Sequence, residues 1–340
     1  MKVVFRVDAS VQMGSGHLMR CLTLAEALQE RGVDTRFICR DHVGNLNTWL
    51  QKKGFAVTVL PQASVVNADM DAQQTMMSLK ADRPDWMIVD HYGLDIEWER
   101  RLKPLFRRLL VIDDHTGRSH DCDLLLDQNY SGSEAGLYDG LVPVTCKLLL
   151  GTDYALLRKE FSELRKHINY RQYLKNILVF FTGGDDQGET LKAMKGIEMF
   201  GLAMQVNVVV GYSNPHNELV KQKCAELRWG YHCQVDYMPH LISKADLVIG
   251  AGGSSNWERC SLGVPALVAI LAENQTAIAQ ELDNAGAVSN LGWFHALQPT
   301  DYAAALSSLD AQRISDMSCK AMGIVDASGA KRVAEILLTS

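Results

Sequence analysis

No stretch of about 18 consecutive apolar residues occurs in the 340-residue chain, so no membrane-spanning helix is expected. The opening, MKVVFRVDAS, has too short an apolar run and meets charge too soon to read as a secretory leader. Basic residues are outnumbered, 34 Lys and Arg against 40 Asp and Glu, for a formal net charge of −6. Nucleic-acid binding needs a basic surface, and neither the total nor any local cluster supplies one. The eight cysteines, at 21, 39, 122, 146, 224, 233, 260 and 319, form no C-x-x-C pair, which argues against a zinc site. They read as free thiols in a reducing cytoplasm, most of them buried as small hydrophobes. Internal repeats, low-complexity tracts and a long disordered tail are also missing.

What is present is an ordinary globular balance, 47% hydrophobic and 22% charged, in a length that suggests two domains. Short apolar runs alternate with helical patterns from end to end. The first series of candidate strands is 3–7, 35–39, 56–60, 86–89, 109–112, 124–126 and 147–150. A second series follows at 177–181, 205–210, 232–235, 247–249, 266–270 and 288–291. Most lack polar alternation, as strands covered on both faces do. With helices between them, they imply an α/β protein of parallel βαβ units in two doubly wound, Rossmann-like domains. The join is placed near 151–173, giving an N-terminal domain over 1–155 and a C-terminal domain over 156–340. The segment 156–171 is charged and helical in pattern. A last helix, about 329–338, could pack back onto the first domain.

Four strings carry chemistry. The first is Arg6-Val7-Asp8-Ala9-Ser10, then Gly14-Ser15-Gly16-His17-Leu18-Met19-Arg20-Cys21. It is a strand, a glycine turn and a strong helix over 18–30, the first βα turn of an open sheet, where ligands bind. Gly14 and Gly16 let backbone approach a ligand. His17 stands at the helix start, whose positive dipole end disfavours imidazolium, so a neutral ring could serve as a general base. The alternative is a histidine that merely caps or packs the helix. A dinucleotide fingerprint fails, because Met19 stands where a third glycine is required.

The second string is Gly250-Ala251-Gly252-Gly253-Ser254-Ser255-Asn256-Trp257-Glu258-Arg259-Cys260. Glycines and serines between a strand and a helix offer N–H donors to a phosphate, and Glu258 could accept from both hydroxyls of a ribose. Against this stands a tight packing turn. The third is Ala272-Glu273-Asn274-Gln275, whose amides at a strand's end suit sugar hydroxyls or a diphosphate, or form a helix cap. The fourth, Thr182-Gly183-Gly184-Asp185-Asp186, could touch phosphate but lacks the ending of a P-loop, and a plain turn capped by Asp is its rival. Asp90-His91-Tyr92 and Asp113-Asp114-His115 also end strands. With Asp8 and His17 they could be metal ligands, but no pair has the H-x-x-x-H spacing, and a polar wall facing a sugar is preferred. Tyr92 would then bond a sugar hydroxyl or the leaving oxygen. Pairing of Asp8 with Arg20 or Arg6 is the structural alternative for the acids.

The string G-x-G-H-x-x-R-C at 14–21, preceded by Arg6, Asp8 and Ser10, resembles the start of the UDP-2,4-diacetamido-2,4,6-trideoxy-β-L-altropyranose hydrolases of pseudaminic acid biosynthesis. The G-A-G-G-S-S-N-W-E-R-C and A-E-N-Q strings resemble that family too, and are shared in part with the UDP-N-acetylglucosamine transferase of peptidoglycan synthesis. The resemblance covers roughly 1–300. It implies a GT-B fold with a cleft between its domains and UDP held mainly by the second. It also implies cleavage at the anomeric carbon with inversion, without metal or other cofactor. His17 matches the family's catalytic histidine, and Tyr92 and Asn274 its substrate-site tyrosine and asparagine. Asp8, Gly16, Arg20, Gly252, Gly253, Ser254, Glu258 and Gln275 complete the expected substrate contacts. In this scheme Asp8 or a neighbour holds the His17 ring. The rival activity is a GT-B glycosyltransferase using the same donor. Transfer to lipid would call for an apolar or basic patch, and the first hundred residues show no such cluster in sequence. A 2-epimerase and a binding-only protein are the remaining alternatives.

Overall fold

The computed structural model describes residues 1–62, 67–79, 83–115, 117–130, 136–184 and 186–340. Asp185 of the fourth string lies outside the described residues. The chain divides into two compact units. One contains Met1–Asn129, residues 136–158 and Ser328–Ser340; the other contains Lys159–Ala327.

The first unit is a seven-stranded sheet made of β1 (Lys2–Val7), β2 (Asp34–Arg40), β3 (Ala56–Leu60), β4 (Trp86–Asp90), β5 (Arg108–Ile112), β6 (Leu124–Asp127) and β7 (Lys147–Leu150). Its order is β3-β2-β1-β4-β5-β6-β7 and every neighbouring pair is parallel. Helices α1 (Gly16–Gln29), α2 (Asn47–Lys52), α3 (Ala68–Leu79) and α4 (Ile96–Leu102) make the four crossovers from β1 to β5. The second unit begins with α5 (Lys159–Arg165). Its strands are β8 (Asn176–Phe180), β9 (Gln205–Val210), β10 (Gly230–Cys233), β11 (Leu247–Ala251), β12 (Ala266–Ile270) and β13 (Val288–Trp293). They run parallel in the order β10-β9-β8-β11-β12-β13. Its helices are α6 (Glu189–Phe200), α7 (Asn217–Leu227), α8 (Met238–Lys244), α9 (Ser255–Ser261), α10 (Thr276–Asn284), α11 (Pro299–Ser307) and α12 (Ala311–Ile324).

Each sheet is covered on both faces, which is why its strands read as unbroken apolar runs. In the first unit, Val3, Phe5 and Val7 point into the core beneath α1, while Val4, Met87 and Val89 point into the core beneath α3 and α4. The last helix, α13 (Gly329–Thr339), belongs to this unit and packs on α1. Its Ala330, Val333, Ala334 and Leu337 are buried at helical spacing, and Trp86 Nε1 donates to Leu337 O at 3.1 Å.

The helix expected over 156–171 is only Lys159–Arg165. Beyond it the chain is used differently. Arg171 Nε, Nη1 and Nη2 donate to Ala245 O, Leu262 O and Ser243 O, at the carboxyl ends of α8 and α9. A cation there satisfies carbonyls that the helices leave open. Five cysteines are buried, Cys146 and Cys233 are half-buried, and Cys319 is exposed. Among the described residues no helix is long and apolar enough to cross a membrane.

Both sheets change winding direction at one place, between β1 and β4 in the first unit and between β8 and β11 in the second. At such a point the two flanking loops part, and a crevice opens at the carboxyl ends of the strands.

Candidate active site

In the first unit, the switch point collects the acidic strand ends. Val7 of β1 lies beside Asp90 of β4. Helix α1 starts directly after the glycine turn, in which Gly14 takes a left-handed φ of 72°. Open space surrounds Gly16 on the side where a Cβ would project. His17 and Arg20, three residues apart on α1, therefore share the face that looks at Asp90.

Asp90 Oδ1 accepts from His17 Nδ1 at 2.6 Å and from Arg20 Nη2 at 2.7 Å, and its Oδ2 accepts from Arg20 Nε at 2.6 Å. Burial alone would raise the carboxyl pKa. The Arg20 guanidinium, then His17, outweighs burial and holds Asp90 far below the usual carboxylate range. In the neutral ring, Nδ1 keeps its proton and donates it as a hydrogen bond to the ionised Asp90, which leaves Nε2 as the acceptor nitrogen. Nε2 has no partner among the described residues, and the side chain keeps 16% of its surface open. The carboxylate on the His17 ring is thus Asp90 and not Asp8.

Arg20 also donates from Nη1 to Asp114 Oδ2 at 3.0 Å. Tyr92 donates its hydroxyl to Asp114 Oδ1 at 2.5 Å. Its ring packs edge-on against His17 and His115, at 4.6 and 4.5 Å between centroids. Burial and the Asp114 charge push the phenol pKa well up, so Tyr92 keeps its proton and offers a ligand only lone pairs. Arg20 is committed to two carboxylates beneath the surface.

Asp8 belongs to a second, deeper network. Arg6 Nη1 and Nη2 donate to its two oxygens at 2.6 and 2.8 Å, and the Arg40 amide donates at 2.7 Å. Arg6 and Arg40 share Asp71 on α3, which also accepts from Trp98 Nε1. His42 and His91 place Nε2 at 3.5 and 3.4 Å from Asp8 Oδ2. Neither Asp71 nor Arg40 carried a sequence signal, because a pairing over 31 residues is visible only once α3 covers the sheet. Among the described residues, no three His, Cys, Asp or Glu side chains are arranged to hold a metal ion.

In the second unit, the glycine string lies at the switch point after β11. The amides of Gly253, Ser254 and Ser255 have no partner among the described residues. Asn256 Nδ2 donates to Gly252 O at 2.8 Å. Gln275 packs its Cβ against Gly252 and its amide against Gly253, while its Oε1 accepts from the Leu271 amide at 3.0 Å. Asn274 is exposed beside it and Glu258 is half-buried in α9. In the fourth string, Gly183 O stands where a Cβ on Gly211 would be, so the two backbones touch. Asp186 accepts from the Gly188 and Thr190 amides, the work of a cap at the start of α6.

The structure therefore brings His17, Gly16, Arg20 and Tyr92 to one edge of the first unit, with Asp8 beneath. It brings Gly252, Gly253, Ser254, Glu258, Asn274 and Gln275 to one edge of the second.

Comparison with known proteins bears out the family resemblance read from the strings at 14–21 and 250–260. Residues 178–330 match the glycosyltransferase family 28 C-terminal domain. The chain is 27% identical over 260 residues to the UDP-2,4-diacetamido-2,4,6-trideoxy-β-L-altropyranose hydrolase of Campylobacter jejuni, covering 75% of this chain and 87% of that one. It is 26% identical over 298 residues to the spore coat polysaccharide biosynthesis protein SpsG of Bacillus subtilis, covering 86% and 84%. An uncharacterized protein of Methanocaldococcus jannaschii is 25% identical over 276 residues, and the match spans 79% of this chain but 55% of the relative. Among solved structures, MurG of Acinetobacter baumannii superposes with a TM-score of 0.71 at 15% identity, over 100% of both chains. UDP-GlcNAc 2-epimerase of Neisseria meningitidis, bound to UDP-GlcNAc, gives 0.65 at 15% identity, over 100% of both chains. The fold is GT-B, with two doubly wound α/β units.

Proposed function

We propose that this protein hydrolyses a UDP-sugar, releasing UDP and the free sugar, and that its substrate is UDP-2,4-diacetamido-2,4,6-trideoxy-β-L-altropyranose. The observation that carries the reading is the His17–Asp90 pair, a partly open imidazole whose inner nitrogen is fixed by a buried carboxylate at the switch point of the first unit. The relatives supply the substrate class: the Campylobacter jejuni protein is named as the hydrolase of that sugar nucleotide.

In the proposed reaction the second unit holds UDP. The open amides of Gly253, Ser254 and Ser255 take the diphosphate, and Glu258 takes the ribose hydroxyls. Asn274 and Gln275 contact the diphosphate or the sugar. The first unit acts on the sugar, with Tyr92 accepting from a sugar hydroxyl while Asp114 holds its proton. A water oxygen attacks the anomeric carbon from the face opposite UDP. His17 Nε2 takes the water proton as the C–O bond forms. The bond from the anomeric carbon to the phosphate oxygen breaks, and its electron pair leaves with UDP. One displacement inverts the anomeric centre. Stabilising the departing charge removes the need for a strong general acid.

Incubation with a panel of UDP-diacetamido-trideoxy sugars, followed by NMR of the anomeric signal, tests the assignment. The altropyranose is expected to give an initially inverted free sugar plus UDP. A retained anomer, or a 2-epimer formed in its place, contradicts it.

The transferase remains the rival, and one feature of the structure favours it. Val11 and Val43 are 59% and 71% exposed, and a 3.0 Å bond from the Val11 amide to Val43 O joins their loops. Met13 is exposed nearby in sequence. The residues are too far apart in sequence to have been seen as a patch. UDP release in the absence of any acceptor separates the two activities.

A further inference from the structure

Arg259 is buried in α9 with no carboxylate bonded to it among the described residues. Its Nη2 donates to Ala251 O at 3.0 Å and to Asn256 Oδ1. Its Nε and Nη1 have no hydrogen-bond partner among the described residues. The guanidinium lies at the ends of β8 and β11. A methyl group on Gly250 would stand 2.1 Å from Phe180 O and 3.0 Å from Arg259 Nη1. The charge therefore sits under the glycine loop, at the switch point of the second unit.

We propose that Arg259 is a positioning residue for an anionic diphosphate, acting from beneath the Gly250–Ser254 loop without touching the ligand. The proposal rests on the UDP reading above. Two features carry it. First, Arg259 binds Ala251 O, and Asn256, itself held by Arg259, binds Gly252 O, so both carbonyls are engaged inside while the amides of Gly253, Ser254 and Ser255 stay open. Second, a buried cation without a counter-ion is costly, and a purely structural donor to these carbonyls could be neutral. Burial draws the guanidinium pKa down to about 10, against smaller opposing effects of Cys260 and Glu258, so the charge persists at neutral pH. A bound diphosphate would face the guanidinium across the loop and add negative charge that no bonded carboxylate supplies among the described residues.

The experiment is calorimetric titration of the full-length protein with UDP and with uridine, which lacks the phosphates. In Arg259→Met, UDP affinity is expected to fall by about tenfold to a hundredfold, in line with losing one buried charge that faces the diphosphate across the loop. Uridine affinity should stay within about twofold of wild type. Arg259→Lys should recover most of the loss. If the Met variant does not fold, Arg259→Gln, which keeps a donor for Ala251 O, decides by the same criterion. UDP binding unchanged in the neutral variant overturns the proposal and leaves the nucleotide reading standing. Parallel weakening of UDP and uridine, or no recovery in Arg259→Lys, also overturns it, since either marks a structural role alone. A wild-type protein that binds neither ligand sinks the proposal together with the nucleotide reading.

Discussion

At the scale of single residues, the site depends on acids being paired in a fixed order. Asp90 takes two donors from Arg20 and one from His17, and this fixes which imidazole nitrogen is open. Asp90→Asn keeps the shape but presents an amide to Nδ1, favouring the wrong tautomer. We expect kcat for UDP release to fall by roughly 10² to 10⁴ with KM little changed, as when the orienting acid of a triad is neutralised. A fall of less than about threefold would show that Asp90 does not orient the ring. His120 illustrates a purely structural pairing. Its Nδ1 faces Glu99 Oε1 at 2.6 Å and its Nε2 faces Asp113 Oδ2 at 2.8 Å. Burial would lower its pKa, but the two carboxylates overcome this and push it up to about 9. A folded-state pKa above the unfolded value of about 6.5 means the stabilisation is complete below that pH. It is lost as pH rises through about 9. Urea titrations should therefore show the stability gap between wild type and His120→Gln shrinking from pH 6 to pH 9.5. A gap that stays constant or widens contradicts the pairing.

At the scale of elements, sequence pattern was a good guide wherever burial was two-sided. Twelve of the thirteen candidate strands form close to their expected bounds, and the inner ones read most clearly because both faces are covered; the strand expected at 232–235 is Gly230–Cys233, an edge strand whose residues are only half-buried. The turn at Gly14–His17 was readable for a local reason: glycine freedom, then a helix start. Long-range pairing was not readable. That Asp90, and not Asp8, holds His17 depends on β4 lying beside β1 in a particular register. That Arg259 lies beneath its loop with Nε and Nη1 unsatisfied among the described residues depends on packing among β8, β11 and α9. The length of α5 was misjudged because the charged residues after it include Arg171, which serves the ends of α8 and α9. The final helix offers a direct check on packing. Leu337 is fully buried in α13 against the first unit's core. Leu337→Ala should cost about 2–5 kcal/mol in chemical denaturation of that unit, the range for deleting a well-packed leucine. A cost below about 0.5 kcal/mol would mean that α13 is not seated there.

At the scale of the whole molecule, two units of the same winding bring different chemistry to corresponding places. The first unit's switch point is lined by paired acids, histidines and a tyrosine, which suits proton transfer at a sugar. The second unit's switch point offers open amides above a buried guanidinium, which suits an anion. The proposed activity needs both, and the division of labour is what a hydrolase and a transferase of this fold would share. What separates them is whether water suffices as acceptor, and in the proposed reaction His17 is the residue on which that choice turns. The most direct measurement is UDP release from UDP-2,4-diacetamido-2,4,6-trideoxy-β-L-altropyranose with no acceptor added, comparing wild type with a folded His17→Asn variant. The account predicts steady turnover by wild type and a loss of about 10²-fold or more in the variant. Near-normal turnover by His17→Asn, or no release by wild type until an acceptor is supplied, would contradict it.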